Sequence, residues 1–264
     1  MNSWEQPRPV NQIVLLGASN LSRLLPRVMA TAQLICGRPS RFLVAAGHGR
    51  SFGVYSRVGC RGLPGITQCG LWEDLVLEAP GPTFALLTDL GNDIAYEQSP
   101  EKLMRWVCWC LERLADYKAR TVITGLPLFR LEQLTPWQYY IFRTLLFPGQ
   151  SLTWEQALER VRGVNQALWE VCQEQGATFI EQRPEWYGFD PIHILRRQSA
   201  AAYHQILSPW KTSGQVSPLV PGKEFRWRWW LWFLMPQYQR LFGFDCYRKQ
   251  PAGVLPDGST ISLY

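Results

Sequence analysis

Four short segments of the chain carry the residue types that acyl transfer at a carbonyl group requires. A serine hydroxyl is a weak nucleophile until a base removes its proton, and a histidine oriented by an aspartate can be that base. The segments therefore predict Ser19 as nucleophile, His193 as general base and Asp190 as the residue that orients the imidazole. In chain order they are Gly17-Ala18-Ser19-Asn20, Gly47-His48-Gly49, Gly91-Asn92-Asp93 and Asp190-Pro191-Ile192-His193.

The same segments contain candidate donors for an oxyanion hole. These are the main-chain N–H groups of Ser19 and Gly49 and the side-chain amide of Asn92, with Gly47 as an alternative to Gly49. Glycine allows the backbone to approach a substrate closely. Each residue also has a simpler interpretation, because serine is a common helix N-cap and glycine and asparagine are common in turns. The prediction depends on all the segments occurring together.

Two further residues flank the candidate glycine. His48 and Arg50 are expected near the mouth of the site, where they would bind substrate; a solvated surface arginine is the alternative for Arg50. The stretch from Gly47 to Gly53 also loosely resembles a dinucleotide-binding loop. That alternative leaves Asn92 and His193 without a role, so the hydrolase interpretation is preferred.

Five short apolar runs are typical of buried parallel strands. Segments of helical period separate most of them, and this alternation predicts a parallel sheet with helices on both faces. Because ligands bind at the carboxyl ends of the strands in such sheets, the candidate residues are expected to meet at one edge. The runs are Gln12–Gly17, Arg41–Ala46, Phe84–Asp89, Thr121–Gly125 and Thr178–Glu181.

Helix signals are clearest in three places. One helix is predicted after the third strand, with Ser99 as its cap and Pro100 in its first turn. A second runs from about Thr153 to Gln175 and stops at Gly176. A third runs from about Leu195 to Leu207.

Two segments interrupt the alternation. Residues 128–152 are long for a connection and rich in aromatic side chains, which predicts a lid over the site. Residues 208–264 are predicted to form a C-terminal extension that packs on a main domain of residues 1–207. The extension is aromatic-rich and is expected to end in a β-hairpin around Asp257-Gly258.

The aromatic residues of the extension concentrate in residues 225–234, which contain four tryptophans. An apolar surface of this size must be covered. Packing on the main domain is the favoured interpretation. A homodimer interface and contact with a membrane surface through tryptophan and arginine are alternatives.

Taken in order, the four segments resemble the sequence blocks of the SGNH (GDSL-type) hydrolase superfamily. The match spans about residues 10–207 and rests on Gly17-Ala18-Ser19, Gly49, Gly91-Asn92-Asp93 and Asp190-x-x-His193. Ala18 stands where the family has aspartate, and the glycine block lacks its leading asparagine. The resemblance implies a flavodoxin-like, three-layer α/β fold with a five-stranded parallel sheet in the order 2-1-3-4-5. It also implies hydrolysis of esters or thioesters without a metal or cofactor.

Composition narrows the class of protein. Charged residues make up 18% of the 264 residues, which leaves enough apolar residues for a sizeable core. The net charge of +6 is scattered and no nucleic-acid motif accompanies it, so nucleic-acid binding is not expected. Residues 1–11 have no apolar stretch of a signal peptide, and the seven cysteines have no framework spacing. A cytoplasmic protein with free thiols is expected.

These observations predict a serine hydrolase that cleaves carboxylic esters or thioesters of small molecules through an acyl-serine intermediate. An acyltransferase with the same catalytic residues is an alternative, because an alcohol can replace water as acceptor. A non-catalytic, partner-binding protein on the same fold is the other.

Overall fold

The computed structural model describes residues 8–75, 81–146, 151–211, 230–231 and 233–264. Within these ranges the chain folds around a mainly parallel sheet with helices on both faces. The strands are β1 (Asn11–Leu16), β2 (Ser40–Ala45), β3 (Ser56–Val58), β4 (Arg61–Leu63), β5 (Thr83–Leu87), β6 (Arg120–Thr124), β7 (Thr178–Ile180), β8 (Tyr238–Leu241), β9 (Phe244–Tyr247), β10 (Gly253–Val254) and β11 (Thr260–Leu263). The helices are α1 (Ser19–Cys36), α2 (Leu71–Asp74), α3 (Gly91–Ala95), α4 (Pro100–Ala115), α5 (Leu128–Gln133), α6 (Pro136–Leu146), α7 (Trp154–Gln175) and α8 (Ser199–Ile206).

The predicted strands form the parallel part of the main sheet from β2 to the edge strand β7, which is exposed or half-buried rather than buried as predicted. β1, β2, β5, β6 and β7 correspond to the five apolar runs, and they pair in parallel in the order β2-β1-β5-β6-β7. This is the order that the family resemblance implied. The predicted number of strands was too small for the described part of the chain, because β11 adds to the edge in parallel with β2 and β10 pairs antiparallel with β11.

The two extra strands come from the predicted C-terminal hairpin. Val254 pairs with Thr260, and Asp257-Gly258 lie in the connection between the strands, as the sequence indicated. The sequence did not indicate that β11 joins the main sheet. Strand pairing over more than 200 residues of chain leaves no local pattern, because partner choice depends on which edge the rest of the fold leaves open.

Apolar side chains pack on both faces of the main sheet. Its central strand β1 is buried throughout, so its side chains enter both halves of the core. Val14 and Leu16 of β1 pack into an apolar cluster with α4 and α7. Ile13 and Leu15 point the opposite way and pack with α1 and α8. The alternation follows from the two-residue period of a β-strand.

The predicted helix boundaries are accurate where a capping signal is present. The Ser99 side chain accepts a hydrogen bond from the main-chain N–H of Lys102 at the start of α4. Thr153 forms a capping box with Gln156 at the start of α7, and Gly176 ends that helix with a φ of 69°. The third predicted helix, α8, is shorter than predicted and begins at Ser199 rather than Leu195.

A second, antiparallel sheet has the strand order β3-β4-β8-β9 and was not predicted. Its strands are three or four residues long, too short for a clear alternating pattern. Val58 at the end of β3 packs against Gly49, where a Cβ atom would lie 2.5 Å from its Cγ2 methyl group. This sheet therefore lies beside the loop that follows β2.

Two predicted segments fall partly outside the described residues. Residues 128–152 contain α5 and α6, and residues 147–150 are not described. Of the tryptophan-rich residues 225–234, only Trp230, Leu231, Phe233 and Leu234 are described, so its predicted role lies mainly outside the described residues. Among the helices described, none is long and apolar enough to cross a membrane.

Candidate active site

Ser19 lies at the turn between β1 and α1 and is the first residue of the helix. The N-cap position is Ala18, whose side chain cannot cap. The carboxylate of Asp89 does so instead, because its Oδ2 accepts hydrogen bonds from the N–H groups of Ala18 at 3.0 Å and Leu21 at 3.1 Å. The simpler interpretation of Ser19 as a helix cap therefore does not describe this turn, and its hydroxyl is available for another partner.

That partner is the imidazole of His193. The distance from Ser19 Oγ to His193 Nε2 is 3.1 Å, and His193 Nδ1 lies 2.6 Å from Asp190 Oδ2. The other carboxylate oxygen of Asp190 accepts the N–H groups of Ile192 at 3.0 Å and His193 at 3.2 Å. Ser19 thus meets two residues more than 170 positions away in the chain, and the three side chains stand in the order hydroxyl, imidazole, carboxylate.

The environment of Asp190 favours its ionised form. Partial burial raises the pKa of the carboxyl group, but the hydrogen bonds from His193 and from the main chain outweigh burial and the pKa is lowered overall. A carboxylate that stays ionised holds a proton on His193 Nδ1 and leaves Nε2 free to accept one.

Asn20 connects the serine turn to the histidine loop. Its side-chain amide donates to Asp89 Oδ1 and to the carbonyl oxygen of Ile192, each at 2.9 Å, and its own oxygen accepts the N–H of Ile194 at 2.8 Å. Asn20 therefore fixes the backbone on both sides of His193. We call Asp89 and Asn20 the positioning pair.

The sequence analysis gave the positioning pair no role. Asn20 stood in a quoted motif and Asp89 at the end of a predicted strand, but their contacts join positions 69 and 172 residues apart. The residue type of Asp89 was one weak signal. The backbone there has a φ of 62°, and aspartate tolerates this left-handed region better than most residues.

The predicted oxyanion donors have free hydrogens in the described part of the chain. The main-chain N–H groups of Ser19 and Gly49 have no hydrogen-bond partner there. Asn92 is buried and lines the same cavity as Ser19; its amide donates one hydrogen to the carbonyl oxygen of Arg50 at 3.2 Å, which leaves the other.

Gly49 occupies a tight turn. Its φ is 63°, and its carbonyl oxygen accepts the Tyr96 hydroxyl at 2.5 Å. The alternative donor, Gly47, closes the turn through its carbonyl oxygen, which accepts the N–H of Arg50 at 3.1 Å. A side chain at Gly49 would be strained by the φ and would meet Val58, so glycine is required there.

A buried carboxyl group supports this loop. Asp93 accepts hydrogen bonds from the Ser51 hydroxyl and from the N–H of Phe52 at 3.0 Å. Burial raises the pKa of Asp93 to about 6, and the hydrogen bonds from Ser51, Phe52 and Gly53 limit the rise. Asn92 and Asp93 thus both connect α3 to the loop after β2.

The two predicted substrate-binding residues have different environments. Arg50 is fully buried, with Nε donating to the carbonyl oxygen of Pro64 at 3.1 Å and Nη1 donating to the main-chain oxygen of Tyr264. The structure does not bring its guanidinium to the mouth of the site, because the side chain turns inward to the carbonyl oxygens of Pro64 and Tyr264. His48 lies at the surface, with its imidazole partly shielded from water, and interacts electrostatically with His193.

A cavity of about 170 Å³ opens beside Ser19 and Asn92. Its lining extends from Ser19, and from Pro191 and Ile192 beside His193, to α5, α6 and α7, and much of its wall is aliphatic. Residues 128–152, the predicted lid, contribute part of that wall. The apolar residues lining it include Ile94, Leu126, Leu131, Leu134, Leu152 and Val161.

No metal-binding arrangement is present in the ranges described above: no group of three or more His, Cys, Asp or Glu side chains is placed to hold an ion. The seven cysteines are all unpaired thiols.

Comparison with solved structures identifies proteins of similar fold. An inhibitor-bound aryl esterase of M. smegmatis matches with a TM-score of 0.51 at 13% identity, over 75% of this chain and 97% of that chain. This chain has the fold of the SGNH hydrolases.

Other matches with that SGNH fold are more distant in superposition. A putative acylhydrolase from Bacteroides fragilis has a TM-score of 0.48 at 10% identity, over 77% of this chain and 89% of that chain. A GDSL-like lipase from Bacteroides thetaiotaomicron has a TM-score of 0.47 at 9% identity, over 75% and 85%. No protein-family model matches the chain, and no curated protein matches it significantly.

Proposed function

We propose that this protein is a serine hydrolase that cleaves carboxylic esters or thioesters through an acyl-Ser19 intermediate. The observation that carries the proposal is the arrangement of Ser19, His193 and Asp190, with distances of 3.1 Å and 2.6 Å between successive side chains. A fold alone does not determine a function, but a nucleophile, a base and an orienting carboxylate in contact point to acyl transfer.

In the first half of the reaction His193 Nε2 takes the proton of Ser19 as Oγ attacks the substrate carbonyl carbon. The carbonyl oxygen becomes an oxyanion and is stabilised by the N–H groups of Ser19 and Gly49 and the amide of Asn92. His193 then gives its proton to the leaving oxygen or sulfur as the bond to the acyl carbon breaks. Asp190 stabilises the imidazolium formed between these steps.

The second half of the reaction reverses these roles with water. His193 accepts a proton from water, the hydroxide attacks the acyl carbon, and the same donors stabilise the second oxyanion. Collapse of this intermediate breaks the bond to Ser19 Oγ, which takes its proton back from His193. A carboxylic acid leaves and the enzyme is restored.

The cavity beside Ser19 indicates where the acyl part binds. Its aliphatic wall suits an apolar acyl group, whose transfer out of water is favourable. We therefore expect butanoate and longer esters to be better substrates than acetate esters.

Hydrolysis of para-nitrophenyl esters tests the proposal. Purified wild type is expected to hydrolyse the butanoate ester, and Ser19→Ala is expected to lose at least about three orders of magnitude in kcat. The matched control is Ser22→Ala on the same helix, whose hydroxyl only bonds the carbonyl oxygen of Ala18. Equal activity of wild type and Ser19→Ala would overturn the proposal.

A further inference from the structure

Ser19 has chemically different surroundings on its two sides. On one side lies a mainly apolar cavity, whose described lining comes from the start of α1, from the connections after β5, β6 and β7 and from α5 to α7. Arg143 also belongs to this lining, with Nη1 donating to the carbonyl oxygen of Leu152 at 2.9 Å. On the other side, toward β2 and the second sheet, three basic residues approach the site. We call Arg23, His48 and Arg61 the basic side of the site; none of them lines the cavity among its described residues.

Three different elements supply the basic side. Arg23 lies four residues after Ser19 on α1, and residues at this spacing share a helix face. His48 belongs to the tight turn that presents Gly49. Arg61 begins β4 directly opposite Val58, which itself packs against Gly49. The topology thus brings two arginines and an imidazole to the ends of the strands where Ser19 and Gly49 lie.

Within the described residues, the charges of the two arginines have no ion-pair partner. In the part of the chain that the structure describes, no carboxylate lies within ion-pair distance of Arg23, His48 or Arg61. The described hydrogen bond of Arg61 goes to an uncharged partner, with Nε donating to Gln239 Oε1 at 2.7 Å. Basic groups gathered without counter-ions beside a site attract anionic ligands.

Arg23 and Arg61 are close enough to His48 to affect the pKa of its imidazole. Partial burial lowers the pKa of its imidazole, and the charges of His193, Arg23 and Arg61 lower it further, against the opposing effect of Asp89. Asp89 supplies one negative charge against the two arginines, and its carboxylate accepts three hydrogen bonds at the start of α1 rather than forming an ion pair with them.

The chemistry of the reaction decides which part of the substrate faces this side. His193 Nε2 must protonate the leaving oxygen or sulfur, so the leaving group lies next to His193. His48 interacts electrostatically with His193, so the basic side lies within reach of the leaving group, while the mainly apolar cavity has room for the acyl group.

We propose that Arg23, His48 and Arg61 bind an anionic group on the alcohol or thiol part of the substrate. The substrate class is then an ester or thioester that joins an apolar acid to a compact anionic alcohol or thiol, bearing a carboxylate or phosphate a few bonds from the scissile bond. This inference rests on the proposed hydrolase function and adds the identity of the leaving group.

A matched pair of esters tests the inference. The anionic probe is para-butanoyloxybenzoate, and the neutral probe is its carboxamide, para-butanoyloxybenzamide, which has the same acyl group and nearly the same shape. We expect kcat/KM for the anionic probe to exceed that for the neutral probe about tenfold, mainly through KM, and the preference to shrink as salt rises. Mono-para-nitrophenyl succinate, which carries its charge on the acyl part, should gain nothing over para-nitrophenyl butanoate.

Substitutions in the basic side test whether Arg23 and Arg61 cause the preference for the anionic probe. In the double variant Arg23→Gln/Arg61→Gln the ratio of the two kcat/KM values should fall to about one. The matched control is Arg105→Gln/Arg113→Gln, which also removes two positive charges, from exposed positions on α4, and should keep the wild-type ratio. A ratio near one in wild type, or equal loss in the control, would overturn the inference while leaving the hydrolase proposal intact.

Failure of the proposed function gives a different result. If wild type cleaves neither probe, calorimetry of Ser19→Ala with the two intact esters measures how tightly each ester binds at the basic side, without turnover. Tighter binding of para-butanoyloxybenzoate than of the amide, abolished by the two arginine substitutions, supports the anion site alone. Equal binding of the two esters overturns it.

Discussion

Asn92 offers the most direct test of the oxyanion hole at the scale of single residues. One of its amide hydrogens bonds to Arg50 and the other is free to meet the oxyanion, so its effect should appear only when negative charge develops. We expect Asn92→Ala to lower kcat about 10² to 10³-fold with little change in KM. Steady-state kinetics on para-nitrophenyl butanoate measure the two constants, and an effect confined to KM would remove Asn92 from the oxyanion hole.

Asp93 makes a separate prediction about stability. Its pKa is about 6 in the folded protein against an ordinary value of 3.8, so the folded state binds more protons between these pH values. The contribution of Asp93 to the free energy of unfolding is therefore greatest below pH 3.8, the ordinary pKa of the carboxyl group. This contribution falls by roughly 2–3 kcal/mol as the pH rises through about 6. Asp93→Asn should flatten this part of the pH dependence.

Urea unfolding of wild type and Asp93→Asn at several pH values checks this expectation. Because asparagine keeps an oxygen that can accept from Ser51 and Phe52, the variant tests ionisation rather than loss of the hydrogen bonds. The same pH slope in both proteins would show that Asp93 is not the group responsible.

Residue-scale chemistry was predictable where the signal was local. Ser19, Asn92, Asp190 and His193 stand in short segments whose order could be recognised. Arg50 had the same kind of signal, yet its side chain is buried against Pro64 and Tyr264. The direction of a long side chain depends on which space the neighbouring sheet leaves, and sequence proximity to Gly49 does not specify that.

At the scale of elements, the positioning pair joins the serine turn to the histidine loop. Asn20→Ala would remove three hydrogen bonds to Asp89, Ile192 and Ile194, which frees His193 to leave the productive geometry. Misplacement of this kind lowers the rate of the chemical step. We expect kcat to fall at least tenfold with KM nearly unchanged.

A second buried asparagine supplies the control for Asn20. Asn11, at the start of β1, donates to the carbonyl oxygens of Cys36 and Gly37. It therefore lies at the amino ends of the strands, whereas Ser19 follows the carboxyl end of β1. Asn11→Ala should destabilise the fold to a similar degree but leave kcat near that of wild type. If both variants lose kcat in proportion to their loss of stability, Asn20 has only a structural role.

The elements themselves were predictable to the extent that they carry periodic patterns or caps. The five predicted parallel strands and helices α4 and α7 have such signals. The antiparallel sheet of β3, β4, β8 and β9 has strands too short for a pattern and pairs segments that are distant in the chain. The basic side depends on this sheet through Arg61, so that part of the site could not be found from sequence.

At the scale of the whole molecule, the C-terminal hairpin completes the main sheet. Ile261 of β11 is fully buried in the cluster that also contains α1 and α8. Ile261→Ala should lower the free energy of unfolding by about 2–5 kcal/mol, because it removes buried methyl groups and leaves a cavity. Val254→Ala on the neighbouring strand, where the side chain is 46% exposed, should cost less than about 1 kcal/mol. Equal costs in urea unfolding would contradict the integration of β11 into the core.

The central claim is that His193 activates Ser19 for covalent attack. Wild type should react with a fluorophosphonate, and mass spectrometry should place one label on Ser19. His193→Ala should label at least about a hundredfold more slowly, because the hydroxyl then lacks its base. Label on another residue, or equal labelling of folded wild type and His193→Ala, would contradict the account.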